Sequence, residues 1–281
     1  MSEPLRLCVH GATGRMGRAL LEVIRGRGDV RLVAAVGRPG SPYVGRDVGA
    51  VTGGPAYGVA VIDAPAEGLR ACDVLVDFSA PEATQRLLAA IAQYPRPTVI
   101  GTTGLTSPIE AAVRALAERV PMLLAPNTSV GVAVLGELLR IALGALGPDW
   151  DVEIVELHHR GKADAPSGTA LRLARLVAEA RGLQAQGMIV HGRSGRVGPR
   201  PAEQVGVLAA RGGDVVGEHT LWLCGPGERL ELVHRAHDRS LFAHGALRAA
   251  CWLVRQPPGL YEMRDVLGWS ARGATATVGR D

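Results

Sequence analysis

Apolar positions lay out the first half of the chain as strands and helices in alternation. Leu5 to Val9 is a short, mostly apolar run. Beyond a glycine turn, Met16, Ala19, Leu20, Val23 and Ile24 recur at i, i+3, i+4, i+7 and i+8, the spacing of one helix face. Val30 to Val36, Val74 to Phe78, Thr98 to Ile100 and Met122 to Leu124 are further β-rich runs, separated by helical stretches around 82–93 and 109–119. This alternation predicts a parallel, doubly wound sheet. The pattern changes at Val130. A helix over 131–146 and a strand over 151–157 precede a second helix from Ser167 to about Ala180. Extended stretches follow at 188–191, 204–210, 214–224 and 229–236. Strands in succession without helices predict an open mixed or antiparallel sheet. A last helix over 242–254 is expected to return to the first domain, and 273–281 to be a frayed tail.

Composition narrows the class. Of 281 residues, 47% are hydrophobic and 21% charged, which fits domains with full cores and excludes disorder as the main state. The net charge is only +4, so no nucleic-acid partner is expected. The longest apolar stretch, 130–146, is broken by Glu137 and Arg140 and is too short to span a bilayer. Met1-Ser2-Glu3-Pro4 runs into the first strand with no charged n-region or h-region, so a soluble cytoplasmic protein is expected. Cys8, Cys72, Cys224 and Cys251 stand far apart with no C-x-x-C, the pattern of reduced, inert thiols. Among 31 Lys+Arg residues the single lysine is Lys162. Arginine keeps its proton, whereas lysine is a compact donor whose pKa moves.

Gly11-Ala12-Thr13-Gly14-Arg15-Met16-Gly17 follows the first strand and opens the first helix. This is a G-x-x-G-x-x-G variant of the dinucleotide fingerprint. Gly11 serves the tight turn, Gly14 the approach of backbone amides to a pyrophosphate, and Gly17 the packing of helix on strand. The helix N-terminus adds oriented N–H groups. The expected fold is therefore α/β. An N-terminal Rossmann-type parallel sheet is expected over 1–129 with 239–281, and a smaller α+β domain with an open mixed sheet over 130–238. The second strand ends Val36-Gly37-Arg38, without the acid that binds an NAD ribose. Arg38, helped by Arg15, suits a 2′-phosphate, so NADPH is expected over NADH. The competing reading of Arg38 is a solvated loop cation.

Glu156-Leu157-His158-His159-Arg160-Gly161-Lys162-Ala163-Asp164-Ala165-Pro166-Ser167-Gly168-Thr169 is the densest chemistry in the chain. Two histidines follow a strand, the sole lysine comes four residues after the first, and Ser167 is a natural N-cap. Proton donors, a cation and a helix start with open amides suit a small dianionic substrate. Adjacent histidines have the wrong spacing for a helical zinc pair, and no metal is expected. No G-x-S-x-G elbow supports a nucleophile triad.

Together these motifs resemble the 4-hydroxy-tetrahydrodipicolinate (dihydrodipicolinate) reductase family of bacterial lysine and diaminopimelate synthesis. The markers are the 11–17 turn, Asp77-Phe78-Ser79 with Pro81-Glu82, Gly101-Thr102-Thr103-Gly104, Asn127 in Ala-Pro-Asn-Thr-Ser, the 156–170 segment and 213–220. The resemblance covers essentially the whole chain. It implies NAD(P)H-dependent reduction of a cyclic imine dicarboxylate with loss of water. By motif position, His158 resembles the proton donor and Lys162 its catalytic partner. His159, Lys162, Gly168 and Thr169 resemble the substrate-binding set. Gly11, Ala12, Thr13, Gly14, Arg15, Met16, Arg38, Gly101, Thr102, Thr103, Ala125, Pro126, Asn127 and Thr128 resemble the cofactor contacts. Gly37 stands where some members carry a ribose-binding acid, and Thr128 where an aromatic residue is common. The family also implies a homotetramer built through the second domain. Two rivals share the glycine turn, an amino-acid or semialdehyde dehydrogenase of similar two-domain plan and an NADP-binding redox sensor. Neither gives a reason for His-His-x-x-Lys before a capped Ser-Gly-Thr helix.

Overall fold

The structure, a computed structural model, describes residues 3–184 and 187–269. The tail expected at 273–281 lies outside them. The chain forms two compact units, one running to Val130 and resuming at Ser240, the other Gly131–Arg239.

The first unit opens with β1 (Leu5–His10), α1 (Arg15–Arg25), β2 (Val30–Val36), α2 (Val48–Thr52), β3 (Val61–Ile62) and α3 (Pro65–Ala71). It continues through β4 (Val74–Asp77), α4 (Pro81–Gln93), β5 (Thr98–Ile100), α5 (Ser107–Ala117) and β6 (Pro121–Leu124). The second unit takes α6 (Val130–Leu146), β7 (Asp151–His158), α7 (Gly168–Ala180), β8 (Ile189–Val190), β9 (Val205–Arg211), β10 (Gly217–Gly225) and β11 (Glu228–Ala236). The chain then returns to the first unit with α8 (Ser240–Leu253), β12 (Gly259–Tyr261) and α9 (Met263–Val266).

The first sheet is parallel throughout, in the order β12-β6-β5-β4-β1-β2-β3. The order reverses between β1 and β4, the switch point at which such sheets bind ligands. Consecutive residues Leu7, Cys8, Val9 and Val74, Leu75, Val76 are all buried, because helices cover both faces. α8 packs on α1 and across β4, β5 and β6. The strands and helices read from the pattern all form. The pattern missed α2, β3, α3, β12 and α9, which have two to seven residues each and are too short to show a period.

The second sheet is mixed, in the order β11-β10-β7-β9-β8. β10 runs antiparallel to β7 and β11, while β9 is parallel to β7 and β8. Two of its strands alternate where β1 and β4 of the first sheet do not. Along β7, Val152, Ile154, Glu156 and His158 are buried and the residues between them are half-buried. β10 does the same with Gly217, His219, Leu221 and Leu223. Val152, Ile154, Val207, Leu221 and Leu223 form one core with Leu135, Leu139 and Leu143 of α6 and Leu173, Ala174 and Val177 of α7. Each fully buried side chain of this kind contributes roughly 1.5–3 kcal/mol. Toward one end the same sheet face turns from aliphatic to ionisable.

Candidate active site

The predicted nucleotide residues come from separate loops that the parallel ladder aligns. The ladder continues one residue past the strand ends. Gly11 N donates to Val36 O (2.9 Å), Gly37 N to Ile62 O (2.8 Å), Phe78 N to His10 O (3.1 Å), Gly101 N to Asp77 O (2.8 Å) and Ala125 N to Ile100 O (2.9 Å). Gly11, Gly37, Gly101 and Ala125 therefore stand in a row along the carboxyl edge of the sheet. Gly11 has φ +79°, and a Cβ there would lie 2.4 Å from Phe78 O. A Cβ on Gly17 would lie 2.4 Å from the carbonyls of Gly11 and Ala12, so the helix could not close on the turn. A Cβ on Gly101 would lie 2.2 Å from the Phe78 ring. Helix α1 starts after Gly14 with no side-chain cap and no acid in its first turn, which leaves its amide end open to an anion.

Beneath this edge lies a polar node around Asp77, a residue that the family markers include without a role. Asp77 is fully buried and accepts from His10 Nδ1 (2.8 Å), Ser79 N (3.1 Å), Thr84 Oγ1 (2.6 Å) and Thr102 Oγ1 (2.9 Å). Burial pushes this carboxyl up. The donors, His10 foremost, outweigh burial and hold it below the ordinary range. The node ties the ends of β1, β4 and β5 to α4. It also changes the part available to two expected cofactor residues. Thr102 spends its hydroxyl on Asp77 and on the Ser79 amide (3.0 Å), which leaves its backbone for a ligand. Thr128 is buried and gives its hydroxyl to Phe242 O (2.7 Å). Gly14, Arg15, Arg38, Thr103 and Pro126 are exposed, Thr13, Met16 and Asn127 half-buried, and Ala12 buried.

In the second unit, strand register assembles the chemistry. Glu156 and His158 are two residues apart on β7 and share a face. His219 of β10 lies opposite Glu156, and Arg211 of β9 opposite His158. Glu156 is fully buried. Its Oε2 meets His158 Nδ1 at 2.5 Å, and Arg211 grips both oxygens with its two terminal nitrogens at 2.9 Å each. Ser167 N donates to Oε1 at 3.0 Å. Burial pushes the Glu156 carboxyl up, but Arg211, His158 and the Ser167 amide bring it below its usual value, so it stays ionised. Burial lowers the pKa of His158, the Lys162 and Arg211 charges push the same way, and Glu156 opposes them.

Ser167 caps α7 as its sequence position predicts, with Oγ accepting from Ala170 N (3.2 Å) and lying 3.1 Å from His219 Nε2. The His219 ring stands edge-on to His158 at 5.3 Å between centroids. Burial and the neighbouring His158 drive its pKa down to about 4. Lys162 bonds Asp164 Oδ1 at 2.7 Å. The loop carrying His159 and Lys162 is pinned where Gly212 N donates to His158 O (2.9 Å) and Arg160 N to Gly213 O (3.2 Å). Gly168 is exposed and Thr169 half-buried at the start of α7. Sequence reasoning gave no role to Glu156, Arg211 or His219. The i, i+2 spacing of Glu156 and His158 on one strand was the available signal, whereas Arg211 and His219 needed the register.

The family descriptions "Dihydrodipicolinate reductase, N-terminus" and "Dihydrodipicolinate reductase, C-terminus" match residues 5–128 and 131–267. The 4-hydroxy-tetrahydrodipicolinate reductase of Anaeromyxobacter dehalogenans (strain 2CP-1 / ATCC BAA-258) is 48% identical over 263 residues, covering 94% of this chain and 97% of that protein. The protein of the same name from Thiobacillus denitrificans is 50% identical over 264 residues, covering 94% and 98%. Among solved structures, dipicolinate-bound dihydrodipicolinate reductase from Paenisporosarcina sp. TG-14 has the same fold, with a TM-score of 0.72, 23% identity and coverage of 92% and 97%.

Proposed function

The chain belongs to the dihydrodipicolinate reductase family, and from that premise we propose how its two units divide one reaction. It reduces 4-hydroxy-tetrahydrodipicolinate to tetrahydrodipicolinate, with loss of water, in lysine and diaminopimelate biosynthesis. A pyridine nucleotide supplies the hydride. The first unit holds that nucleotide through the 11–16 turn, the open end of α1 and the backbone of 101–103 and 125–128. The uncapped helix start supports this, because a pyrophosphate would complete its hydrogen bonds.

NADPH is the preferred reductant. A Cβ at Gly37 would lie 2.8 Å from Val61 Cγ1, which disfavours an acid at that position, while the Arg38 beside it is exposed and suits a 2′-phosphate. In the second unit, His158 delivers the proton that completes the reduction. The Lys162 ammonium and His159 take one substrate carboxylate, and the α7 amides at Gly168 and Thr169 take the other. The substrate's charge favours the imidazolium form of His158, which burial disfavours in the free protein. The observation that carries this reading is the convergence of His158, Lys162 and the capped start of α7 at one end of the second sheet.

The family's tetramer and a cytoplasmic location belong to the same proposal. β11 is an edge strand with Leu230 and Val233 exposed, the kind of edge that a second copy protects. No helix among the described residues is long and apolar enough to cross a membrane.

The test follows NADPH oxidation at 340 nm with substrate freshly condensed from pyruvate and aspartate semialdehyde. Parallel runs use NADH and omit the condensation, and sedimentation velocity reads the oligomer. Substrate-dependent oxidation with a higher kcat/KM for NADPH is expected. A preference for NADH would overturn the assignment to Arg38. NADPH binding without oxidation would favour a sensor.

A further inference from the structure

Both sides of the His158 ring are arranged for delivery from one nitrogen. On one side, Nδ1 lies 2.5 Å from Glu156 Oε2. That carboxylate is sealed from solvent, and each of its oxygens already accepts from Arg211, so it is ionised and takes the imidazole N–H as acceptor. On the other side stands Gly217 of β10. A side chain there would bring Cβ to 2.8 Å from His158 Nε2 and displace the ring. Gly217 φ is not positive, so its backbone does not demand glycine. The missing side chain keeps Nε2 uncovered.

We propose that Glu156 is the positioning carboxylate of this reductase's proton donor, fixing the proton of the neutral ring on Nδ1 so that Nε2, on the side Gly217 leaves clear, exchanges the catalytic proton. The inference rests on His158 being the acid. In the step itself, once water has left the substrate ring, a bound nicotinamide would supply hydride to that ring, and the His158 Nε2–H bond breaks as its proton passes to the ring. The imidazole is left neutral, with its Nδ1–H still on Glu156, and solvent returns the proton in the next cycle. Glu156 keeps its charge throughout and never touches the substrate. It stabilises the imidazolium against burial and against the Lys162 and Arg211 charges, and it limits the ring to one orientation.

The experiment compares Glu156→Gln, Glu156→Asp and Gly217→Ala with wild type and with His158→Gln. Every position around the Glu156 carboxylate is filled by a donor, so the amide of the glutamine variant must face one of them. Glu156→Gln is expected to lower kcat about a hundredfold, with NADPH affinity unchanged. Loss of the negative neighbour should move the alkaline limb of its kcat profile down by roughly one pH unit. Glu156→Asp keeps the charge and should keep the limb in place while kcat falls less. Gly217→Ala should lower kcat, because its Cβ covers Nε2 or displaces the ring.

Imidazole ¹⁵N shifts of the wild-type protein give a reading independent of turnover and of how well the variants fold. Protonated Nδ1 and bare Nε2 on neutral His158 support the proposal, and the opposite tautomer overturns it. A Glu156→Gln enzyme that only melts earlier, with its limb unmoved, also overturns it. If His158→Gln retains full turnover, the acid assignment itself falls. If His158→Gln is inactive and Glu156→Gln is as active as wild type, only the role of Glu156 falls.

Discussion

Each unit buries one histidine against one carboxylate, and the proposed mechanism gives the two pairs different ends. Asp77 and Glu156 are both fully buried, with imidazole Nδ1 at 2.8 Å and 2.5 Å. Around Asp77 the remaining donors are neutral, two hydroxyls and an amide from α4 and from the residues just past β4 and β5, and the His10 side chain is 4% exposed. Around Glu156 the principal donor is the Arg211 guanidinium, and the His158 side chain keeps 11% exposure beside a second histidine, a lysine and a helix start. The first pair closes on itself and fixes strand ends. The second closes on one side only. A carboxylate can brace an imidazole in either setting, and what the far edge of the ring meets decides whether the pair is structural or chemical.

Exchanging the histidines tests that difference most severely. His158→Gln should lower kcat about a thousandfold while the thermal midpoint and NADPH affinity stay near wild type. His10→Gln should reverse the pattern, with an earlier midpoint, weaker NADPH binding and kcat within a few-fold. Steady-state kinetics beside calorimetry and NADPH titration decide the matter. A His10→Gln protein of wild-type stability but a thousandfold slower would place His10 in the chemistry and erase the contrast.

The next effect is on stability. In Asp77→Asn the amide nitrogen either opposes the His10 and Ser79 N–H groups at Oδ1 or, at Oδ2, turns the Thr84 and Thr102 hydroxyls into acceptors and takes away the oxygen that received their protons. A buried polar network broken in this way costs about 2–4 kcal/mol. Urea titration should show that loss with an unchanged slope. A loss below about 1 kcal/mol would mean that the node does not brace the strand ends.

The two regions also differed in what their sequences disclosed. The parallel sheet was legible because its strands are continuous apolar runs and Gly11, Gly14 and Gly17 mark one turn. Asp77 stood among the family markers, but its node was not legible, because an aspartate in Val-Asp-Phe-Ser does not disclose which donors will surround it. In the second unit, His158, Lys162 and the Ser167 cap were legible as neighbours in sequence. Arg211 and His219 lie 53 and 61 positions beyond His158, and only the β7–β9 and β7–β10 registers bring them to it. Short elements such as β3 and β12 escaped because two or three residues carry no period.

Acid should separate the units more gently. His219 titrates near 6.5 when unfolded and at about 4 in the fold, where burial and His158 oppose its charge. Below pH 6.5 the unfolded chain takes up a proton that the folded chain refuses. The stability His219 gives is therefore complete above pH 6.5 and is lost as pH falls toward 4, by about 3 kcal/mol in all. Urea midpoints between pH 7 and 4 should fall accordingly, and His219→Gln should flatten that slope. An equal slope in the variant would assign the acid sensitivity elsewhere.

The smallest effect concerns the only lysine. Lys162 and Asp164 meet at 2.7 Å, but Asp164 keeps 60% of its side-chain exposure, so the pair contributes at most about 0.5 kcal/mol to the fold. In the proposed mechanism its weight lies in binding, since an ammonium held by Asp164 has to leave that carboxylate, or share it, to take one from the substrate. Asp164→Asn should leave the thermal midpoint unchanged and lower the substrate KM two- to threefold, with kcat nearly constant. The carboxylate of the His10 pair has no comparable freedom, because it is fully buried and each of its oxygens already accepts two hydrogen bonds. A KM that rises in Asp164→Asn would show instead that Asp164 holds Lys162 in its working position, as Glu156 is proposed to hold His158.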